Sequence, residues 1–346
     1  MLPKPSIRNL KPYRTKDVSY RAKLDANEAT RNILTGFKEA LPEDLFLYPD
    51  NYAEQLRQSA ARYYDVEKDH IIAGNGSSEM IELVLKTYIE PGDIVLSFAP
   101  SFSMYRVFSD IYSATFVPVE TPSPFEFDVG YFIEMIKKHD PKIVFLCSPN
   151  NPTGNVLHTE DIFNVLNATD ALVVVDEAYI EFYDTSQTML KHLEAYPNLV
   201  VLRSLSKAFG LAGIRLGFLI ANKSVTDVLY TVKAPYNVNA LTQAFGVYAL
   251  KQTSRVLRYL DHVKALRATL FEAMKSLGIS VYPSYANFIF FESTITDLYE
   301  KLLEKGVLIR RFGESLTNFY RVSIGTEEEI QLFIVALKEV LGNEKN

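Results

Sequence analysis

The chain has 346 residues, 48% apolar and 23% charged, enough for a large buried core and for two domains but not many more. Lys and Arg number 36 against 42 Asp and Glu, and the formal charge of −6 excludes a generally basic, phosphate-coating nucleic-acid binder. A single cysteine, Cys147, excludes an intrachain disulfide, and no apolar stretch approaches the roughly 20 residues a membrane-spanning helix needs.

Residues 1–30 are polar and proline-containing and read as an extended arm. The first residues carry charge and proline without an apolar run, so no signal peptide is expected and the expected compartment is the cytoplasm. An amphipathic helix follows over about 52–64, with Leu56, Ala60, Tyr63 and Tyr64 on one side. In GNGSSEMIELVLKTYI, Gly74 and Gly76 make a turn, Ser77 is placed to cap a helix, and Met80, Ile81, Leu83 and Val84 carry it. Strands are then expected at Asp93–Phe98, Lys142–Cys147, Ala171–Val175, Asn198–Arg203 and Ile214–Ile220, with helices at Phe132–Lys138 and Glu160–Leu166. The strands are continuous apolar runs, so both faces must be buried, and the alternation of elements predicts an α/β fold with a mainly parallel sheet between helices.

Pro235 marks a boundary. A long helical stretch, Ala240 to Leu277 with a break, leads into strands at Ser280–Tyr282, Asn287–Phe291, Val307–Arg310 and Tyr320–Ile324, and helices at Ile295–Glu304 and Glu327–Leu341. The expected division is an arm (1–30), a large domain (31–235) and a smaller α+β domain (236–346).

In an open α/β sheet, ligands sit beyond the carboxyl ends of the strands. Three successive strands end in polar clusters: SPNNPTGN (148–155), Asp176-Glu177-Ala178-Tyr179, and Ser204-Leu205-Ser206-Lys207. Small and apolar neighbours around Lys207 would desolvate its ammonium and favour the neutral amine that Schiff-base chemistry requires. Asp176 ends an apolar strand and needs a partner, either a cationic ring nitrogen or a structural bridge. The GNGSS turn with Ser204, Ser206 and Arg215 forms a possible phosphate cradle. The five histidines show no metal-ligand spacing, and no metal site is expected.

Taken in order, Asn27-Glu28, Tyr48-Pro49-Asp50, GNGSSE (74–79), PSFSMY (100–105), SPNNPTGN, DEAY (176–179), SLSKAFGLAGIRLG (204–217), ANF (286–288) and RVSIGT (321–326) span nearly the whole chain. This set resembles the fold-type I aminotransferases that use pyridoxal 5′-phosphate, in particular their histidinol-phosphate branch. The resemblance implies that Lys207 holds the cofactor covalently and shuttles the proton at the substrate carbon. It implies that Asp176 pairs with the ring nitrogen, Tyr179 and Asn151 bond the ring phenolic oxygen, and Tyr105 stacks on the ring. Ser77, Ser78, Ser204, Ser206 and Arg215 would hold the phosphate, with Tyr48 reaching it from the partner subunit of a homodimer. Arg321 would clamp a carboxylate, Asn27 would line the substrate side, and Tyr13 and either Arg310 or Arg311 would meet a phosphorylated substrate. Two departures stand out: Ser78 occupies a commonly acidic position, and Ala29-Thr30 follows Asn-Glu in place of Asn-Pro. The rivals on the same scaffold are an aromatic amino-acid aminotransferase and a threonine-phosphate decarboxylase.

Overall fold

The structure is a computed structural model that describes residues 4–8, 10, 18–32, 34, 42, 45–122, 125–313 and 316–343. Tyr13 of the expected substrate side lies outside them.

After a short strand β1 (Ala22–Leu24), the apolar runs build one sheet from β2 (Ile71–Gly74), β3 (Ile94–Ala99), β4 (Thr115–Glu120), β5 (Ile143–Cys147), β6 (Leu172–Asp176), β7 (Leu199–Ser204) and β8 (Gly217–Ala221). Among the described residues the order is β2-β8-β7-β6-β5-β3-β4. Strands β3 to β7 are parallel, and β8 runs antiparallel to β2 and β7. Successive residues point to opposite faces of a strand. Val173 and Val175 of β6 therefore enter one core, while Leu172 and Val174 enter the other, and β5 and β7 alternate likewise.

Helices cover both faces. Helices α1 (Glu54–Tyr64), α4 (Val129–His139) and α5 (Thr159–Asn167) pack on one. Helices α2 (Gly76–Tyr88), α3 (Met104–Ile111) and α6 (Lys223–Val232) pack on the other. The sequence reading did not identify β2, β4, α3 or α6. In β4, Pro118 breaks the strand pattern, and it is accommodated because β4 lies at the sheet edge.

The long helical stretch divides at Lys251 into α7 (Ala240–Leu250) and α8 (Thr253–Ser276). Beyond it, β9 (Ser280–Val281), β10 (Phe288–Glu292), β11 (Val307–Arg311) and β12 (Phe319–Ser323), with helices α9 (Leu298–Glu304) and α10 (Glu327–Asn343), complete the chain. The second sheet has the order β1-β11-β12-β10-β9. One expectation is corrected here: residues 22–24 are not free arm but a strand parallel to β11. Ala22 and Leu24 are fully buried while Lys23 between them is partly exposed, which is the alternation a half-buried strand requires.

Candidate active site

The carboxyl ends of β5, β6 and β7 converge. Asp176, the last residue of β6, is 3% exposed. Tyr105 Oη donates to its Oδ2 (2.9 Å), and the Ala178 N–H donates to its Oδ1 (3.1 Å). Burial pushes this carboxyl up to about 6, against the lowering effect of the Tyr105 hydrogen bond.

Lys207 follows β7, and its Nζ donates to the carbonyls of Ala26 and Asn27, both at 3.3 Å. Burial lowers its amine to about 8, and the positive charges of Arg321 and Arg215 act in the same direction. The amine lies 5.7 Å from the centre of the Tyr179 ring. Asn27 Nδ2 (3.1 Å) and Asn151 Nδ2 (3.4 Å) both donate to Tyr179 Oη. Burial raises the Tyr179 phenol to about 12, with Arg321 and the Asn27 bond opposing.

Arg321 enters from β12. Its Nη1 donates to Asn151 Oδ1 and its Nη2 to the Asp25 carbonyl (2.9 Å). The guanidinium sits 5.2 Å from the centre of the Phe288 ring and 5.9 Å from that of Phe312. It is held by aromatic faces and buried, with donors that suit an oxyanion.

The phosphate cradle forms where α2 begins beside β8. Ser77 does not cap α2: the helix starts at Gly76 after Asn75, so Ser77 and Ser78 lie inside its first turn. Backbone N–H groups of a first helical turn have no partner in the helix and point at whatever lies beyond it. The Asn75 N–H is already taken by the Glu79 carboxylate. Ser204 ends β7 and Ser206 follows it; both are buried. Arg215 Nη1 donates weakly to Ser206 Oγ at 3.4 Å. A Cβ on Gly76 would come within 2.6 Å of Arg215 Nη2, and one on Gly217 within 2.5 Å of the Ser77 nitrogen. Glycine at both positions lets the arginine and the helix start approach.

Tyr105 does not offer a ring face to a ligand. It is fully buried, stacked on Phe145 (4.4 Å between ring centres, 4° between planes), and spends its hydroxyl on Asp176. Half-buried Phe102, edge-on to Tyr105 at 5.6 Å, is the more accessible aromatic of this motif. Tyr48 is 81% exposed and stacks on Tyr236 (4.8 Å). Arg310 and Arg311 are both exposed but differ in surroundings. Arg310 is paired with Arg321 across β11 and β12, so the two share a sheet face. Arg311 is on the opposite face, ion-paired with Glu300 and 5.1 Å over the Tyr299 ring.

Two residues of the site lie within the ANF and RVSIGT motifs but received no role in the sequence reading. Ser323 Oγ accepts from the Asn27 N–H (2.9 Å) and donates to Asn27 Oδ1 (3.2 Å), while Asn287 Nδ2 donates to the Asn27 carbonyl (3.0 Å). Both are polar residues at the edges of apolar strands, some 260 and 296 positions from Asn27, and no local spacing signals these contacts.

The residues present fit pyridoxal phosphate. They supply a desolvated amine, a buried carboxylate with no ion-pair partner among the described residues, a phenol already activated by two amides, and an anion cradle too narrow for side chains at Gly76 and Gly217.

Comparison with known proteins agrees. The family described as aminotransferase class I and II matches residues 21–337. A histidinol-phosphate aminotransferase of Thermoanaerobacter pseudethanolicus is 40% identical over 343 residues, covering 97% of each chain. The solved histidinol-phosphate aminotransferase of Sinorhizobium meliloti, in complex with pyridoxal 5′-phosphate, superposes with a TM-score of 0.90 at 21% identity, over 98% of this chain and 97% of that one. That of Clostridium acetobutylicum superposes with 0.86 at 27% identity, over 93% and 99%. A desolvated amine and a buried carboxylate at adjacent strand ends, in a chain matched almost end to end, identify this protein as a member of the class I and II aminotransferase family.

Proposed function

We propose that the protein is a histidinol-phosphate aminotransferase. It exchanges an amino group between L-histidinol phosphate and 2-oxoglutarate, giving imidazole-acetol phosphate and glutamate. The observation that carries the substrate assignment is the pairing of Arg310 with Arg321 across β11 and β12, which sets two guanidinium-bearing residues on one face. The relative at 40% identity bears that name.

Histidinol phosphate has a phosphate and no α-carboxylate, while glutamate has the α-carboxylate. Arg321, fixed between Phe288 and Phe312, holds the oxyanion nearest the reacting carbon in each half-reaction. Arg310 is the second cation for the phosphate, and Arg311 is left to its bridge with Glu300.

Asp176 would pair with the ring nitrogen, Tyr179 and Asn151 would bond the phenolic oxygen, and Ser77, Ser78, Ser204, Ser206 and Arg215 would hold the phosphate. Pyridoxal phosphate, bound there, supplies an electron sink and carries the amino group between the two substrates. Lys207 Nζ moves the proton at the substrate carbon. Its lowered basicity leaves a usable fraction of neutral amine near pH 7, and the carbonyls of Ala26 and Asn27 hold the ammonium that results.

The active unit is a homodimer. Leu45, Phe46, Leu47, Tyr48, Tyr52 and Tyr236 are large apolar side chains left exposed, and a partner subunit would cover them and bring Tyr48 to its own phosphate cradle. Among the described residues no helix is long and apolar enough to cross a membrane, and the substrates are small molecules.

Single-turnover spectroscopy of the cofactor-loaded protein tests the assignment. Histidinol phosphate and glutamate should each discharge the bound cofactor, and phenylalanine should do so far more slowly. A faster reaction with phenylalanine would select the aromatic rival. Carbon dioxide released from phosphothreonine without any oxo acid would select the decarboxylase.

A further inference from the structure

Asn27 occupies left-handed backbone, with φ of 53°. That region is disfavoured for a residue with a Cβ, so something must hold it there. Asn27 is 1% exposed, and each of its polar groups is engaged. Its N–H and Oδ1 go to Ser323, its carbonyl to Asn287 and Lys207, and its Nδ2 to Tyr179. Ser323 alone makes two of these contacts through one hydroxyl, as acceptor at 2.9 Å and as donor at 3.2 Å. Among the described residues, Ser323 makes no hydrogen bond to Lys207 or Tyr179. It stands on β12 two residues beyond Arg321, on the same face, because side chains alternate along a strand. One strand face therefore carries both the oxyanion clamp and the clasp on Asn27.

We propose that Ser323 is a positioning residue of this site. Its hydroxyl fixes Asn27 in the left-handed conformation that sets the Asn27 amide on the Tyr179 oxygen and turns the carbonyls of Ala26 and Asn27 toward the Lys207 amine. Without that hydroxyl, Asn27 loses the bonds to its N–H and Oδ1 and is held only through its carbonyl, by Asn287 and Lys207, and its amide on Tyr179, so its backbone relaxes toward ordinary angles. Tyr179 then loses a donor, becomes a poorer donor itself, and Lys207 loses its carbonyl partners.

The test compares Ser323→Ala, Ser323→Thr and Asn27→Gly in the cofactor-loaded protein. A weaker phenol donor withdraws less charge from the ring oxygen, so in Ser323→Ala the pH midpoint of the bound cofactor's absorbance should rise by about half a unit or more. The kcat should fall about tenfold while KM for 2-oxoglutarate stays within about twofold, since Arg321 is untouched. Ser323→Thr keeps the hydroxyl and should restore both. Glycine enters the left-handed region without a clasp, so adding Ser323→Ala to Asn27→Gly should change neither quantity further.

The kinetic arm rests on the aminotransferase reading. The absorbance titration needs only bound pyridoxal phosphate, so it judges Ser323 even if histidinol phosphate proves to be the wrong donor. An unchanged midpoint in Ser323→Ala, or an equal loss when the same change is made beside Asn27→Gly, would overturn the proposal. Should Ser323→Ala fail to fold, Ser323→Thr and Ser323→Cys decide it: a wild-type midpoint in both, despite the weaker cysteine donor, counts against the clasp.

Discussion

Lys207 and Asp176 are both shifted toward their neutral forms, and burial is the largest cause for each. For Lys207 the native amine lies near 8, against 10.5 in the unfolded chain. Its contribution to the stability of the cofactor-free protein is therefore fully present above pH 10.5 and is lost as pH falls through about 8. The same amine must be neutral to attack an aldehyde, so the rate at which cofactor-free protein captures pyridoxal phosphate should rise with pH and level off above about 8. Stopped-flow absorbance across pH 6–10 reads this; a rate still climbing at pH 10 would show an ordinary lysine. Lys207→Ala should abolish borohydride-fixed cofactor and lower turnover by about 10⁴-fold or more. Asp176 differs in sign: its raised carboxyl favours the native cofactor-free state at low pH, and that benefit is lost as pH rises from 3.8 through about 6. A cationic ring nitrogen supplies the missing partner, so loading the cofactor should raise the melting temperature more at pH 7 than at pH 5. Calorimetry of both forms at the two pH values checks it.

At the scale of elements, the alternation of side chains along β11, paired antiparallel with β12, separates two adjacent arginines. Arg310→Gln should raise KM for histidinol phosphate by about 10- to 100-fold and leave glutamate nearly unchanged. Arg311→Gln should stay within about threefold for both, because its partner is Glu300 on the opposite face. Equal effects of the two changes would remove Arg310 from the site. Behind the strand ends, Arg203 of β7 reaches Glu177 at 3.1 Å and Glu181 at 3.6 Å, all three buried. Arg203→Met leaves two carboxylates without their cation and should destabilise by about 3–5 kcal/mol, read by urea unfolding.

How far the sequence disclosed all this depends on what each element must bury. Strands β5, β6 and β7 are legible because both faces are covered, so their runs are unbroken, and their polar ends mark the site directly. Strand β4 is not, because an edge position tolerates Pro118. The PSFSMY motif indicates an aromatic near the ring but not its depth, and depth decides that Tyr105 supports Asp176 from below. The RVSIGT and ANF motifs mark Ser323 and Asn287 but not what they do, because their role lies in a contact with Asn27, far away in sequence. The choice between Arg310 and Arg311 needs strand register, which composition does not contain.

The whole molecule shows an apolar belt that a lone subunit would leave in water: Phe46 is 85% exposed and Tyr48 81%. On the proposed homodimer, Phe46→Glu should shift the protein from dimer to monomer in sedimentation and lower activity by about tenfold or more, since the proposed Tyr48 contribution would be lost with the partner. Tyr48→Phe should keep the dimer and weaken only retention of the cofactor.

Strand β1, paired in parallel with Val307–Ile309, gives the molecule a peculiarity of timing. Residues 22–27 leave the ribosome some 280 residues or more before their neighbours, β11 and Ser323. During synthesis the β5–β7 region can begin to assemble while the opening segment waits, and a ribosome stalled before β12 holds a chain that has its lysine and carboxylate but no clamp and no seat for Asn27. Fragments cut short at the carboxyl end should therefore be inert even where most of the large sheet is formed, so premature termination yields no half-working aminotransferase.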